Sequence, residues 1–225
     1  FDPACCQLAK RVGHRLEKLE ATWIPRSAVS GYTASIALTR GLVALKNLTT
    51  LTLDLSDCDV EDDEWIALDL GLSALQNLTT ITLKLFGSYN VGDAGLRAVT
   101  KFLGALQNLT TIDLFARGFL MVGDVGLEAL AQRLGALQKL TTITLNFGSF
   151  YAVRGAGLEA LGQGLSALQN LTTITWIALG QGLGALQNLT TIVLSLAFEK
   201  VGDAGLEALG QGLSALQNCW AHCRI

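Results

Sequence analysis

The sequence predicts an α/β fold built by stacking copies of one unit made of a strand, a loop and a helix. Three observations carry this. A nine-residue phrase returns about every 30 residues, a two-residue apolar alternation follows it, and a helical apolar stripe closes each unit. The phrase is Leu-x-Ala-Leu-(Gln/Lys)-(Asn/Lys)-Leu-Thr-Thr. Its sixth residue falls at Asn47, Asn77, Asn108, Lys139, Asn170 and Asn188, with a degenerate copy at Asn218, and the spacings are 30, 31, 31, 31, 18 and 30 residues.

Residues 1 to 34 precede the repeat. Leu8, Val12, Leu16 and Leu19 stand at helical spacing with Lys10, Arg11, Arg15 and Lys18 between them, which predicts a basic amphipathic helix ended by Trp23-Ile24-Pro25. A terminal unit of a stack needs a cap, and this helix can supply it. Docking onto another protein is its alternative role.

Within a unit, Leu78, Ile81, Leu83 and Leu85 end in alternation, with Thr82 and Lys84 on the other face, as in a short strand with one buried side. Leu96, Val99, Leu103 and Leu106 then mark one stripe of a helix. The helix is announced by Val-Gly-Asp-x-Gly at Val91, Val122 and Val201. Asp93, Asp124 and Asp203 are expected to accept hydrogen bonds from the open first-turn amides, where a negative charge also suits the helix dipole. Asn77 and its equivalents stand where the helix turns into the next strand, a place that favours a residue tolerant of the left-handed conformation.

One unit, near residues 170–188, is short by about 13 residues, so its strand runs directly into Trp176-Ile-Ala-Leu, the phrase that opens a helix at Trp65. A shortened helix and a local change of pitch are expected there, because a parallel crossover needs a dozen or more residues. The stack is expected to cover residues 35–218, with 219–225 as a tail.

From about Ser35 to Gln217 the chain resembles the leucine-rich repeat proteins, specifically the long, helix-bearing subclass typified by ribonuclease inhibitor. The resemblance implies a curved solenoid with a parallel sheet on the concave side and helices on the convex side. The chain departs from the family where an asparagine or cysteine ladder usually follows the strand. Ser56, Phe86, Arg117, Gly148 and Ala197 stand there instead, and the loop before Val-Gly-Asp is longer.

Composition narrows the function. The chain has 225 residues, 44 of them leucine, 50% apolar and 16% charged, which excludes a disordered polyelectrolyte. A net charge of −3 gives no general attraction to nucleic acid, and none is expected as a partner. From Ala160 to Phe198 no residue is charged, yet Gln163, Gln169, Asn170, Gln181, Gln187 and Asn188 interrupt the run, so no transmembrane segment is expected. The chain begins at Phe1, as a processed or truncated product would.

No catalytic constellation stands out. His14 and His222 lie in the terminal segments, and nucleophile-elbow, phosphate-loop and His-Glu-x-x-His patterns are missing from the sequence, so neither an enzyme nor a cofactor is expected. Five Asn-Leu-Thr triplets fit the N-glycosylation pattern. Their repetition on strands about 4.8 Å apart, with Lys139 in the same place, favours a structural role. Asp54, Asp57, Asp59, Glu61, Asp62, Asp63 and Glu64 form an acidic run. It lacks the glycine and distal glutamate of an EF-hand, and reads as helix capping with a solvated edge, a contact for a basic partner, or a metal site. Cys219 and Cys223 around His222 are a weak zinc signal, and no metal is assigned. Five cysteines without a disulfide framework, the others being Cys5, Cys6 and Cys58, lean toward a reducing intracellular or organellar compartment.

Two surfaces remain. Thr50, Thr80, Thr111, Thr142, Thr173 and Thr191, with Thr52, Thr82, Thr144 and Thr175, are expected to line the concave sheet in uniform rows. The loops after the strands vary more: Phe86, Tyr89, Phe115, Phe119, Phe150 and Tyr151 gather beside Lys84, Arg117 and Arg154. Aromatics with arginine suit a protein interface, and core filling beneath the loops is the competing role. The expected function is a nonenzymatic protein interaction module or scaffold. The alternatives are an accessory subunit of a larger assembly and, from the resemblance, a regulator of an enzyme such as a GTPase.

Overall fold

The computed structural model describes residues 15–22, 31–56, 61–87, 89–117, 119, 121–147, 156–177, 191–195 and 220–224. Among these residues, eight strands form one open, curved sheet in sequential order: β1 (Lys18–Thr22), β2 (Thr50–Asp54), β3 (Thr80–Lys84), β4 (Thr111–Phe115), β5 (Thr142–Asn146), β6 (Thr173–Ile177), β7 (Thr191–Ser195) and β8 (Trp220–Arg224). Every pairing is parallel. Five helices alternate with the first six strands: α1 (Gly31–Leu42), α2 (Asp62–Ser73), α3 (Asp93–Ala105), α4 (Asp124–Gly135) and α5 (Ala156–Ser166). The result is an α/β repeat solenoid in which neighbouring helices pack side by side.

The register explains the core. Leu51, Ile81, Ile112, Ile143 and Ile174 are cross-strand partners, as are Leu53, Leu83, Leu114 and Leu145, and all are buried. β-Branched and leucine side chains stack in two continuous rows under the sheet, and the helices close over them with Leu68, Leu72, Val99, Leu103, Leu130 and Leu134. Each fully buried leucine or isoleucine contributes about 1.5–3 kcal/mol.

The N-terminal expectation is corrected in part. Residues 18–22 form β1, not the end of a helix, and Lys18 pairs with Thr50 and Leu19 with Leu51. Leu16, Leu19 and Ala21 pack on the core where later units use Leu48, Leu51 and Leu53. A spacing of three between Leu16 and Leu19 fits both a helix and this unit's strand entry. Pairing with β2 decides it. The proposed helix over Leu8 and Val12 lies outside the described residues. At the other end, Trp220–Arg224 is strand β8 paired with β7 instead of a tail.

The short unit keeps its strand. Thr173 pairs with Thr191 and Trp176 with Leu194, so the 13 residues 178–190 carry the whole crossover, and the shortened helix expected there lies outside the described residues. Trp176 and Ile177 belong to β6, whereas the same dipeptide at Trp65 is helical.

Side-chain ladders bind the units together. Thr79 Oγ1 donates to Thr49 O (3.1 Å), Thr110 Oγ1 to Thr79 O (3.1 Å), Thr141 Oγ1 to Thr110 O (3.1 Å) and Thr172 Oγ1 to Thr141 O (3.1 Å). Each of these carbonyls also accepts the backbone N–H groups of two consecutive threonines of the next unit. A second ladder runs along the corner. Asn77 Nδ2 donates to Lys46 O (2.8 Å), Asn108 Nδ2 to Gln76 O (2.9 Å) and Asn170 Nδ2 to Gln138 O (2.8 Å). Where lysine replaces asparagine, Lys139 Nζ donates to Asn108 Oδ1 (2.7 Å). These asparagines thus serve as links between units. The helix before Asn77 ends at right-handed Ala74, the one before Asn108 at Leu106 with φ −92° and ψ 72°, and the one before Lys139 at right-handed Ala136.

The helix starts are linked in a way the sequence did not predict. Gly92 and Gly123 are the N-caps, and Asp93 and Asp124 are the first helical residues. Asp62 Oδ1 accepts from the amides of Gly92 (3.0 Å) and Gly95 (2.8 Å), one unit on. Asp93 Oδ1 accepts from Gly123 (2.8 Å) and Gly126 (3.0 Å), and Asp124 Oδ1 from Gly157 (3.1 Å). Each aspartate therefore caps the next helix instead of its own. The last glycine of Val-Gly-Asp-x-Gly follows from this, since a Cβ on Gly126 would lie 2.6 Å from Asp93 Oδ1.

Candidate functional site

The outward residues of the strands form three rows across the concave face. The first is Lys18, Thr50, Thr80, Thr111, Thr142 and Thr173, and the second is Glu20, Thr52, Thr82, Asp113, Thr144 and Thr175. Both threonine rows lie where the sequence places them, half-buried and nearly uniform. Asp113 breaks the second row, and its Oδ2 accepts from Thr82 Oγ1 (3.2 Å).

The third row, at the strands' C-terminal ends, is different in every unit: Asp54, Lys84, Phe115 and Asn146 are successive partners. Lys84 Nζ lies 3.8 Å from Asp54 Oδ2. Ser56, through its hydroxyl and then its amide (3.1 Å), with help from the Lys84 charge, holds Asp54 below the usual carboxylate value against the opposing effect of burial. The backbone bonds Leu85 N–H to Phe115 O (2.7 Å) and Gly87 N–H to Arg117 O (3.1 Å) carry the pairing past the strand ends. They bring Phe86 beside Arg117, as Lys84 is beside Phe115. Cations and phenylalanines then alternate over a two-by-two block.

The two rings meet across its diagonal, with centroids 6.0 Å apart and planes tilted by 46°. Gly87 has φ 78°, a left-handed turn that closes the loop behind Phe86 and that a side chain would strain. Tyr89, just beyond, is 61% exposed. Arg117 is exposed and makes no ion pair among the described residues.

The site residues expected from sequence therefore divide. Phe86, Tyr89, Phe115 and Arg117 are brought together on one rim. Phe119 is not part of it: it is fully buried and fills the core under the loop. It takes the core-filling role that competed with display in the sequence, and the loop folds back, with Phe119 N–H bonded to Ala116 O (3.3 Å). Phe150, Tyr151 and Arg154 lie outside the described residues. Asp113 and Asn146 were missed as neighbours of this rim, although aligning the strands by their threonines would have placed both on the outward face.

The acidic run resolves mainly into capping. Asp62 holds the next helix start, and Glu64 Oε2 accepts the Glu61 amide (2.9 Å) at the start of α2. Asp57, Asp59, Cys58 and Cys219 lie outside the described residues, as do the side chains of His222 and Cys223. Among the described residues no group of three or more His, Cys, Asp or Glu side chains is arranged to hold a metal ion, and no helix is long and apolar enough to cross a membrane.

No family model and no curated protein sequence matches the chain. Among solved structures it is similar to one described as "Crystal structure of TLR13-ssRNA13 complex", with 13% identity, a TM-score of 0.25, 82% of this chain covered and 34% of that one. The chain spans about a third of that structure's length. The solenoid assignment rests on this chain's own strand order, register and repeated ladders.

Proposed function

We propose that this chain is a nonenzymatic interaction module that binds a protein through the rim formed by Lys84, Phe86, Tyr89, Phe115 and Arg117. One observation carries the reading: chemical variety is concentrated in the third row and the loops behind it, while the two rows beside it are almost all threonine. Aromatic rings with an uncommitted arginine are the residues that dominate binding energy at protein interfaces. The ladders fix the backbone beneath them, so little ordering entropy remains to be lost on binding.

The test is a photoreactive phenylalanine analogue placed singly at Phe115, at Tyr89 and, on the helical side, at the exposed Gln132. After irradiation in an extract of the source cells, discrete adducts from Phe115 and Tyr89 but not Gln132 are expected. Equal adducts from all three positions, or none from the rim, would remove this surface as the binding site.

A further inference from the structure

Inward of the rim, the concave face carries one carboxylate that the fold does not ask for. Asp113 is the single acidic residue among the outward positions of β3, β4 and β5, and it stands at the centre of a three-by-three block. Five of its eight neighbours there are threonines, among them the cross-strand partners Thr82 and Thr144, and the other three are Lys84, Phe115 and Asn146. Threonine fills the same row on β2, β3, β5 and β6, so sheet stability does not need an acid at this place. The carboxylate is half-buried, yet its one hydrogen bond among the described residues is the Thr82 hydroxyl donating to Oδ2 (3.2 Å), and it joins no ion pair there. An ionised carboxylate has about four acceptor sites, and a group that displaces water from a half-enclosed one must bring donors of its own.

The surrounding charges decide what kind of molecule brings them. Lys84 stands diagonal to Asp113 and exposed Arg117 lies beyond Phe115, so a cationic ligand drawn to Asp113 meets two like charges. An anionic ligand drawn to those cations meets Asp113 and also Asp54, whose Oδ2 is 3.8 Å from Lys84 Nζ. The other outward charges of β1 to β6, Lys18 and Glu20, are three strands away and again of both signs. Interleaved signs leave a neutral ligand as the kind that neither set repels. A peptide backbone is neutral too, but it is recognised along an open strand edge, whereas a sheet face presents side chains. Sugar hydroxyls donate to a carboxylate and both donate to and accept from threonine. The apolar C–H face of a sugar ring suits Phe115, whose own ring is braced by Phe86 at 6.0 Å.

We propose that the concave face around Asp113 binds a neutral oligosaccharide, with Asp113 and its flanking threonines on the sugar hydroxyls and Phe115 beneath one ring. The site goes beyond the rim reading: it shares Phe115 with that surface, but its ligand class and its central residue are different.

The experiment titrates the full chain with three β-linked hexasaccharides that differ in charge: one of glucose (neutral), one of glucosamine (cationic) and one of glucuronate (anionic). Binding is followed by saturation-transfer NMR. The glucose hexasaccharide should bind about tenfold more tightly than either charged one at low salt. Asp113→Thr copies the neighbouring Thr82 and Thr144 and so keeps the sheet. It should weaken binding of the glucose hexasaccharide about tenfold or more, as the loss of hydrogen bonds to a charged group does. Asp113→Asn, the milder variant should the first change disturb the fold, should weaken it less. In Asp113→Thr the glucuronate hexasaccharide should bind more tightly than to the wild type, because the acidic opposition at the centre is gone. Binding of none of the three, tighter binding of a charged hexasaccharide by the wild type, or binding of the glucose hexasaccharide untouched by the Asp113 changes would overturn the proposal.

Discussion

The two ends of each strand obey different rules. At the N-terminal ends Thr50, Thr80, Thr111, Thr142 and Thr173 are cross-strand partners, and the threonine before each of them is linked to its counterpart by backbone and side-chain bonds. At the C-terminal ends the partners are Asp54, Lys84, Phe115 and Asn146, of which no two are alike. The backbone register is the same at both ends, so geometry does not cause the difference. A side chain that closes a ladder must be repeated, because each copy is both donor and support for its neighbours. Once the ladder holds the sheet, the far ends are free to vary. Uniformity marks where this chain is built, and variation marks the surface proposed above for binding.

The largest expected effect contrasts core with rim in two adjacent loops. Phe119→Ala should cost about 3–5 kcal/mol, the range for emptying a buried aromatic site. Tyr89→Ala should change stability by less than about 0.5 kcal/mol while weakening partner binding. Urea unfolding of both variants measures this, and similar midpoints would erase the distinction between core and rim.

The helix-start linkage comes next. Gly126→Ala should destabilise by about 1–3 kcal/mol because its Cβ would press on the Asp93 carboxylate. Asp93→Ala should cost about 1–2 kcal/mol by leaving two amides uncapped. In the double variant the penalties should not add, since the clash disappears with the carboxylate. Additive penalties in a thermodynamic cycle would mean that the glycine is required for another reason.

A single rung of the threonine ladder is smaller. Thr110→Val keeps the shape and removes the bond to Thr79 O, and should cost about 1 kcal/mol. Amide hydrogen exchange should quicken in both β3 and β4. Faster exchange in β4 alone would show that the rung does not couple the units.

The smallest effect belongs to the variable end. Asp54 has its folded value lowered beneath the ordinary 3.8, so its contribution is present above that value and is lost as pH falls through the lowered one. The stability difference between the wild type and Asp54→Asn should therefore shrink on acidification below about pH 4. A difference that stays constant down to about pH 2 would show that Ser56 and Lys84 do not stabilise the carboxylate.

Much of this was legible in order along the chain. The period, the alternation through Ile81 and Leu83 and the stripe through Leu96, Val99 and Leu103 each reflect a local geometry, and the structure places them in strand, core and helix accordingly. Four features were not legible. Leu16 and Leu19 fit a helix and a strand equally well, and the sequence did not separate buried Phe119 from half-buried Phe86 and Phe115. Asp93 was recognised as a capping residue, but not for the helix that it caps. Leu70, 72% exposed, drew no attention inside an apolar helix, and only Arg40, Lys101, Gln132 and Gln163 at the equivalent positions of the other helices mark it as different.

What the sequence by itself determined is the unit: which residues alternate, which lie on one helical stripe, and that the two patterns recur in step. Those are short-range consequences of side-chain spacing and backbone geometry. The tertiary structure decided what stacking adds. Trp-Ile lies in a helical turn at Trp65 and ends a strand at Trp176, because in the second case the neighbouring strands offer hydrogen bonds in register with Leu145 and Leu194. Likewise a carboxylate can serve a helix 30 residues further on only when stacking brings its open amides within 3.0 Å. Partners of that kind are chosen by distance in space, which the order of residues along a chain does not record.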